Sequence, residues 1–455
     1  KTVNGKKYAF DDEGKMLYGW VAADNAERID NTDGDAFKDG VYYFGGEDDG
    51  AMTTGWLLMD VTYDEATSDY EIAPAFNEDE DQSRWFYFKS NGKKVYSSST
   101  DETKDKTING KKYTFDQYGA MIAEWSLDTK KASTSLGTSN FADVEKKGSS
   151  AKYSQSWRYF SSVEDGARVS KGWFKVVSAE YLNQDKYNDD EDAWYYADGS
   201  GNLYAGEFKT IKGKKYAFRN DGRMLSGLKF IKEGTDDFAG VVADDDDNLS
   251  FDNEDDFLAQ ASTYFEGEGY KCYYFGGGED GAMRTGKTSL TFDGENTNFY
   301  FEKSGGKKGA GVTGEKDNKL YQSGMLLKAD SDDKYTVVDK ETHIKDDGTK
   351  YETYTKLDDA KAFMDSVKDN GGKVNDELAG KEGSTKVTVG SNTTKKAEDL
   401  AEAYSVELKD VKNHEYILVN TSGKVIDNKG KNKDGSDYYY VTDSNGKITN
   451  IYVED

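Results

Sequence analysis

The sequence predicts a mainly β protein, an elongated solenoid of stacked β-hairpins with a small α+β region near the C-terminus. Three observations carry that expectation. A motif recurs at long period: KTVNGKKYAFDDEGKML from Lys1 matches KTINGKKYTFDQYGAMI from Lys106 and KTIKGKKYAFRNDGRML from Lys209, offsets of 106 − 1 = 105 and 209 − 106 = 103 residues. A fixed period of this kind belongs to stacked units that share a continuous core. Within the motif, Tyr8 and Phe10 and then Met16 and Tyr18 lie two apart on either side of a turn holding Gly14, the period of a strand with one buried face. The chain also has 48 glycines against one proline, Pro74, which suits hydrogen-bonded ladders joined by tight turns.

The array is expected over 1–329. Related hairpins follow the repeated motif: YYFGGEDDGAMTTGW (42–56), WFYFKSNGKKV (85–95), WRYFSSVEDGARVSKGW (157–173), WYYADGSGNLYAG (194–206), YYFGGGEDGAMRTG (273–286) and FYFEKSGGKKG (299–309). Three hairpins thus recur in each long period. A lone hairpin is marginal in water, so neighbours must stack their aromatic faces. Those faces draw on 33 Tyr, 22 Phe and 7 Trp, because the hydrophobic residues together make up only 35% of the chain. The acidic stretches 59–82 and 241–257 read as solvated surface loops; neither completes the spaced ligand pattern of a calcium loop.

The period fades in 330–455, which reads as a divergent α+β region. KLDDAKAFMDSVKDNG (356–371) spaces Leu357, Ala360, Met364 and Val367 as one helix face, and TTKKAEDLAEAYSVEL (393–408) reads as a second helix behind capping residues. EYILVNTSGKVID and YYYVTDSNGKITNIYV then return to strand, turn, strand. Resumption of the array and a separate small domain both fit this tail.

Charge narrows the partners. With 87 acidic and 60 basic residues the formal net charge is −27, which repels phosphate backbones and anionic membranes. Nucleic acid is therefore not expected, and no apolar run is long enough for membrane insertion. The single cysteine, Cys272, excludes an internal disulfide framework. No signal-like segment is visible at Lys1, so a trimmed fragment is expected.

The shape of 42–56, an aromatic triplet, a Gly/Asp turn and then G-x-M-x-T-G-W, resembles the cell-wall-binding repeats, also called choline-binding or glucan-binding repeats, of Gram-positive surface proteins. The resemblance covers about 1–327 and weakly the last forty or so residues. It implies an extracellular, cell-surface or secreted location and aromatic sites for choline or glucans, where rings attract a quaternary ammonium by cation–π interaction. Carried over by motif, the Gly-Trp residue pairs with the Trp opening the next aromatic triplet, giving Trp56 with Trp85 and Tyr87, Trp125 with Trp157 and Tyr159, and Trp173 with Trp194 and Tyr196. Where that family has tryptophan ahead of its Tyr-Tyr, this chain has Lys7, Lys112 and Lys215, with Val41 and Cys272 in two further copies. An ammonium there would repel choline, so the GKKY units are expected to serve stacking through Tyr8, Tyr113 and Tyr216, and the protein is expected not to depend on choline.

Catalysis is not expected. His343 and His414 lie outside the repeats, and no nucleophile, metal-ligand or phosphate-loop constellation is visible. No cofactor and no metal are implied. What remains is noncatalytic adhesion to polysaccharide, whether cell-wall glycan or an α-glucan such as starch, with a structural spacer as the alternative. Oligomeric state is left open by the sequence.

Overall fold

The computed structural model describes residues 1–23, 27–61, 75, 82–99, 102–137, 150–242, 251, 253–264, 266–292 and 294–455. Most of both acidic stretches, 62–81 apart from Ala75 and 243–250, lies outside the described residues, and with it the surface-loop and calcium-loop readings there. The chain forms two compact units, Lys1–Leu225 with Thr235–Phe238, and Ser226–Gly234 with Ala239–Asp455. The boundary expected at 329 falls within the second.

The first unit is a stack of seven hairpins, numbered one to seven here in chain order. Each has a central strand bearing the aromatic triplet or its GKKY counterpart. On one side that strand pairs with a preceding strand, which carries a tryptophan in hairpins two, three, five and six and none in hairpins one, four and seven. Gly55–Val61 pairs with Gln82–Phe88, setting Trp56 opposite Tyr87 and Leu58 opposite Trp85. Glu124–Leu127 pairs with Trp157–Phe160, setting Trp125 opposite Tyr159, and Gly172–Val177 with Asp192–Ala197, setting Trp173 opposite Tyr196. On the other side the chain turns back and closes on one bridge: Phe10 to Met16, Phe88 to Lys94, Phe115 to Met121, Phe160 to Arg168, Ala197 to Leu203 and Phe218 to Met224. The turns are held by their own aspartates; Asp116 Oδ1 accepts from the N–H groups of Tyr118 and Ala120, both at 2.9 Å.

Successive hairpins are joined by one recurring hydrogen bond. The backbone N–H of Met52, Lys94, Met121, Arg168 and Met224 donates at 2.8 Å, and that of Leu203 at 3.2 Å, to the carbonyls of Lys7, Val41, Trp85, Lys112, Trp194 and Trp157 respectively. The acceptors are the second lysine of each GKKY unit and, in the other hairpins, the residue two ahead of the tyrosine paired with the preceding strand's tryptophan. Because the bond uses only backbone, lysine, valine and tryptophan serve there equally, which is why GKKYAF and WFYF occupy equivalent places. The same side chains then lie over the turn of the next hairpin. Met52 fills the space a Cβ on Gly92 would need, and Met121 does the same at Gly166; both glycines adopt positive φ, 81° and 61°.

Short helices interrupt the stack, among them Thr129–Leu136, Ala151–Ser154 and Gln184–Asn188. Each begins on a side-chain cap: Asp128, Ser150 and Asn183 accept from the N–H of Lys131, Tyr153 and Lys186.

In the second unit, a five-stranded sheet runs in the order Gly286–Phe292, Glu295–Phe301, Met325–Leu327, Lys319–Gln322 and Gly314–Lys316. Its core joins Leu228, Phe230, Phe299 and Phe301 to Phe257 of the helix Glu254–Thr263. That helix begins inside the stretch read as a loop, capped by Asn253, whose side chain accepts from Asp256 N–H. The expected helix at 356–371 forms as Ala360–Asp369, and its Phe363, Met364 and Val367 share a core with Val406, Leu418 and Ile451.

The second expected helix, at 393–408, is not one. Thr393–Lys396 and Leu400–Glu407 are strands joined by a single turn of 3₁₀ helix. Leu400–Glu407 lies between Lys373–Asp376 and Ile448–Glu454 in a second five-stranded sheet, burying Leu400, Ala403 and Val406. Pairing on both sides with remote strands outweighs the helix propensity of its Ala and Glu residues. The tail returns to the hairpin pattern: Val419 bridges Val425, Val425 N–H donates to Asn318 O at 3.1 Å, and Leu326 occupies the space over the turn at Gly423.

Candidate functional sites

Each junction in the first unit draws its walls from three successive hairpins. The strand after one hairpin supplies the Gly-Trp residue, the next hairpin supplies the residue ahead of its triplet and the last-but-one aromatic, and the third supplies a Tyr or Phe and its bridging side chain. Five such junctions occur in a row, and they take three forms.

Two are open. At the Trp56 site the ring of Trp56 lies 6.2 Å from Trp85, 5.1 Å from Tyr87 and 4.9 Å from Tyr113, at interplanar angles of 88°, 68° and 69°. Trp56, Trp85, Tyr113 and Met121 surround a cavity of about 190 Å³, whose lining is completed by Glu164 and Asp165 from the turn of hairpin five. That space equals roughly six waters of liquid volume. Asp165 also pairs with Lys111 at 3.2 Å. At the Trp173 site the ring lies 6.3 Å from Trp194, 5.1 Å from Tyr196 and 4.9 Å from Tyr216, at 88°, 79° and 64°. Met224 stands where Met121 stands. All four tryptophans are half-buried.

Two are closed. At the Trp125 site the three rings expected from sequence are together, Trp125 lying 6.3 Å from Trp157 and 5.2 Å from Tyr159. Phe174 fills the space between the walls, stacked on Tyr159 at 4.9 Å and 5.6 Å from Tyr195. Tyr153 of the inserted helix covers Trp157, which is fully buried. Trp125 and Trp157 therefore form core, and the binding role expected for them and for Tyr159 meets no opening here. The Trp20 site was not legible from the sequence. Trp20 meets Tyr43 at 5.2 Å and Phe86 at 5.5 Å, and Lys94, in the position of Met121, sends its ammonium in, 5.1 Å from the Trp20 ring centre and 5.8 Å from that of Phe86. It donates to Phe37 O. Burial lowers its pKa to about 7, against the opposing pull of Asp116 and Asp39.

The fifth junction is ionic. Asp105, opposite Thr114, stands where tryptophan stands elsewhere, and Arg158 and Arg168 take the Tyr and Met positions. Asp105 accepts from both guanidinium groups at 3.2 Å and from Thr114 Oγ1 at 2.6 Å. Burial pushes its carboxyl up, but Arg158, Thr114 and Arg168 together hold it below the ordinary range. Lys112 belongs to this junction. It is exposed and does not line the Trp56 cavity. The lysine of a GKKY unit thus leaves its tyrosine free to wall an open site, as Tyr113 and Tyr216 do, and repulsion at the lysine position does not bear on those sites.

Along the chain the order is closed, open, ionic, closed, open. The closed and open forms each recur three hairpins on, whereas the ionic form does not, since Phe208 stands 103 residues after Asp105. In the second unit Leu228 follows Trp20 and Trp125 at the same offsets of 105 and 103 residues, and it is again core.

No protein-family model and no curated protein matches the chain. In fold the chain resembles choline-binding repeat proteins. Among solved structures, it is similar to choline-binding protein F of Streptococcus pneumoniae, crystallised with a peptidoglycan analogue, at 17% identity and a TM-score of 0.35, covering 77% of this chain and 94% of that one. It is similar to CbpJ of the same organism at 18% identity and a TM-score of 0.29, covering 72% and 93%, and to the modular autolysin LytC at 16% and 0.28, covering 74% and 53%.

Elsewhere, among the described residues, no group of three or more His, Cys, Asp or Glu is placed to hold a metal, and no helix is long and apolar enough to cross a membrane. His414 Nδ1 lies 2.9 Å from Asp339 Oδ1 on the sheet of the second unit. Burial raises the Cys272 thiol well above its ordinary pKa, so it is protonated at neutral pH.

Proposed function

We propose that this chain is a noncatalytic extracellular module that holds a surface polymer through its two open aromatic sites, and that the group each site takes is a small, weakly hydrated ammonium such as choline. The supporting observation is the Trp56 site. Its rings meet edge to face around a cavity instead of lying in one plane, and two carboxylates stand in the lining. Ring faces attract a cation by about 0.5–2 kcal/mol each, and Glu164 adds attraction of the same sign, while the charge of Asp165 is offset by its pairing with Lys111. A cell-wall polymer bearing such groups is the natural ligand class on this reading, and two sites on one chain raise its retention through effective concentration.

Polysaccharide stacking is the second reading. The observation favouring it is the half-buried Trp173, Trp194 and Tyr196 rings, against which a sugar face would stack.

Calorimetric titration separates the two. Choline should bind at two sites per chain, with its neutral isostere 3,3-dimethyl-1-butanol at least tenfold weaker. Equal binding of both compounds, or retention by oligosaccharide alone, would reject the ammonium reading.

A further inference from the structure

Along the strand Gly55–Val61 the side chains divide between two faces. Leu57 and Met59 pack with Trp20 and Phe86, so Trp56, Leu58 and Asp60 project together on the other face, that of the Trp56 cavity. The pairing register sets Leu58 directly opposite Trp85, one wall of that cavity. Residues paired in this way hold their Cβ atoms about 4.5–5.5 Å apart, so Leu58 continues the apolar surface of Trp85 outward from the cavity mouth. The strip then ends in a polar pair, with Ser83 Oγ donating to Asp60 Oδ1 at 2.6 Å. The equivalent positions at the other wall tryptophans are filled differently. At the closed Trp125 site Leu127 stands opposite Trp157 and is fully buried, in one cluster with Ala132 and Tyr153 of the inserted helices. At the open Trp173 site the residue opposite Trp194 is Lys175. Of the three, only Leu58 is an apolar residue left 47% exposed beside an open cavity.

We propose that Leu58 and Trp85 form an apolar shelf that sets the ligand class of the Trp56 site: a quaternary ammonium carried on an apolar arm, with the ammonium in the cavity and the arm along the shelf. This rests on the ammonium reading of the open sites and adds to it a difference between them. The ammonium belongs in the cavity, between the rings and Glu164, because the shelf itself bears no charge. The arm is limited in length. Same-face neighbours on a strand lie about 6.6–6.8 Å apart, room for about four or five methylenes before Asp60 is reached. At Trp173 the same arm would run against Lys175, whose ammonium tip seeks water, so that site takes the head group with little preference for what carries it.

The test uses two single-site proteins, Trp173→Ala, which keeps the Trp56 site, and Trp56→Ala, which keeps the Trp173 site. Each is titrated calorimetrically with tetramethylammonium and with n-pentyltrimethylammonium. A methylene laid on an open shelf should tighten binding about twofold, half the free energy of complete burial. The longer ion should therefore bind more than about tenfold more tightly at the Trp56 site, and less than about threefold more tightly at the Trp173 site. Adding Leu58→Ser to Trp173→Ala should bring the ratio below about threefold, while Leu58→Met should keep it. A ratio indifferent to Leu58→Ser, or one as large at Trp173 as at Trp56, would overturn the proposal. Binding of tetramethylammonium with no gain from the longer ion would overturn the shelf and leave the ammonium reading standing, whereas failure of both ions to bind would reject both.

Discussion

The Lys94 ammonium sits 5.1 Å from the centre of the Trp20 ring, in the place that Met121 takes beside Trp56. One junction thus carries its own cation where another leaves a cavity. Replacing Lys94 by methionine is therefore expected to turn the closed site toward the open form, and choline titration of Lys94→Met should show a third, weaker site. A stoichiometry still at two would show that Phe37 and Tyr43 close the site without the lysine.

The same residue makes stability depend on pH in a definite direction. Its pKa falls from 10.5 to about 7 on burial. Between those values the unfolded chain binds a proton that the folded chain does not, so raising the pH favours the fold, and below about 7 the full cost of the buried charge is present. Denaturant unfolding of wild type and Lys94→Met at pH 6 and 9.5 should show wild type gaining on the variant at the higher pH. A constant difference would refute the burial of a titrating ammonium.

At the open sites, Trp173→Ala should leave the stack folded and remove one of two ligands, with about a tenfold loss at that site and none at Trp56. Calorimetry alongside far-ultraviolet circular dichroism checks both halves. Loss at both sites at once would mean that binding reports on the stack as a whole and not on local walls.

Phe174→Ala should behave differently. It empties the Trp125 site, and a buried Phe to Ala change typically costs about 3–5 kcal/mol. Thermal or denaturant unfolding measures the loss. A cost under 1 kcal/mol would show that Tyr153 and the helices above it collapse into the space.

Turn glycines offer a paired comparison. Gly166→Ala must both hold φ at 61° and displace Met121, whereas Gly213→Ala at φ 81° meets nothing within 4 Å. The second should cost only the backbone strain of about 1–3 kcal/mol, while the first should cost more and weaken ligand binding at Trp56, whose floor Met121 forms. Equal effects on binding would remove Met121 from the site.

The hairpins were legible in the sequence because their information is local: alternating aromatics, a glycine in each turn, and the repeated motif itself. Pairing of Trp56 with Trp85 and of Trp173 with Trp194 was legible for the same reason, each pair lying on adjacent strands. What closes a site was not, because it arrives from elsewhere. Phe174 is the sequence neighbour of Trp173, yet alternation along the strand sends it to the opposite face and into the junction before. The Trp20 site escaped notice because its partners are Tyr43 and Phe86, with Val41 in the position that marks the other sites. The strand Leu400–Glu407 was hidden by residues that favour helices locally and by partners some fifty residues later, at Ile448–Glu454.

Since no site is complete within one hairpin, the array has a reading frame. Removing only the segment that carries hairpin three would set Trp56 against Lys112 and Thr114 in place of Trp85 and Tyr87, abolishing that site without altering its first tryptophan. Removing three consecutive hairpins would rejoin like to like. Gain or loss of single hairpins is thus a frameshift for binding even where every hairpin still folds, and lengthening in blocks of three is the change that adds ligand sites while keeping the existing ones in register.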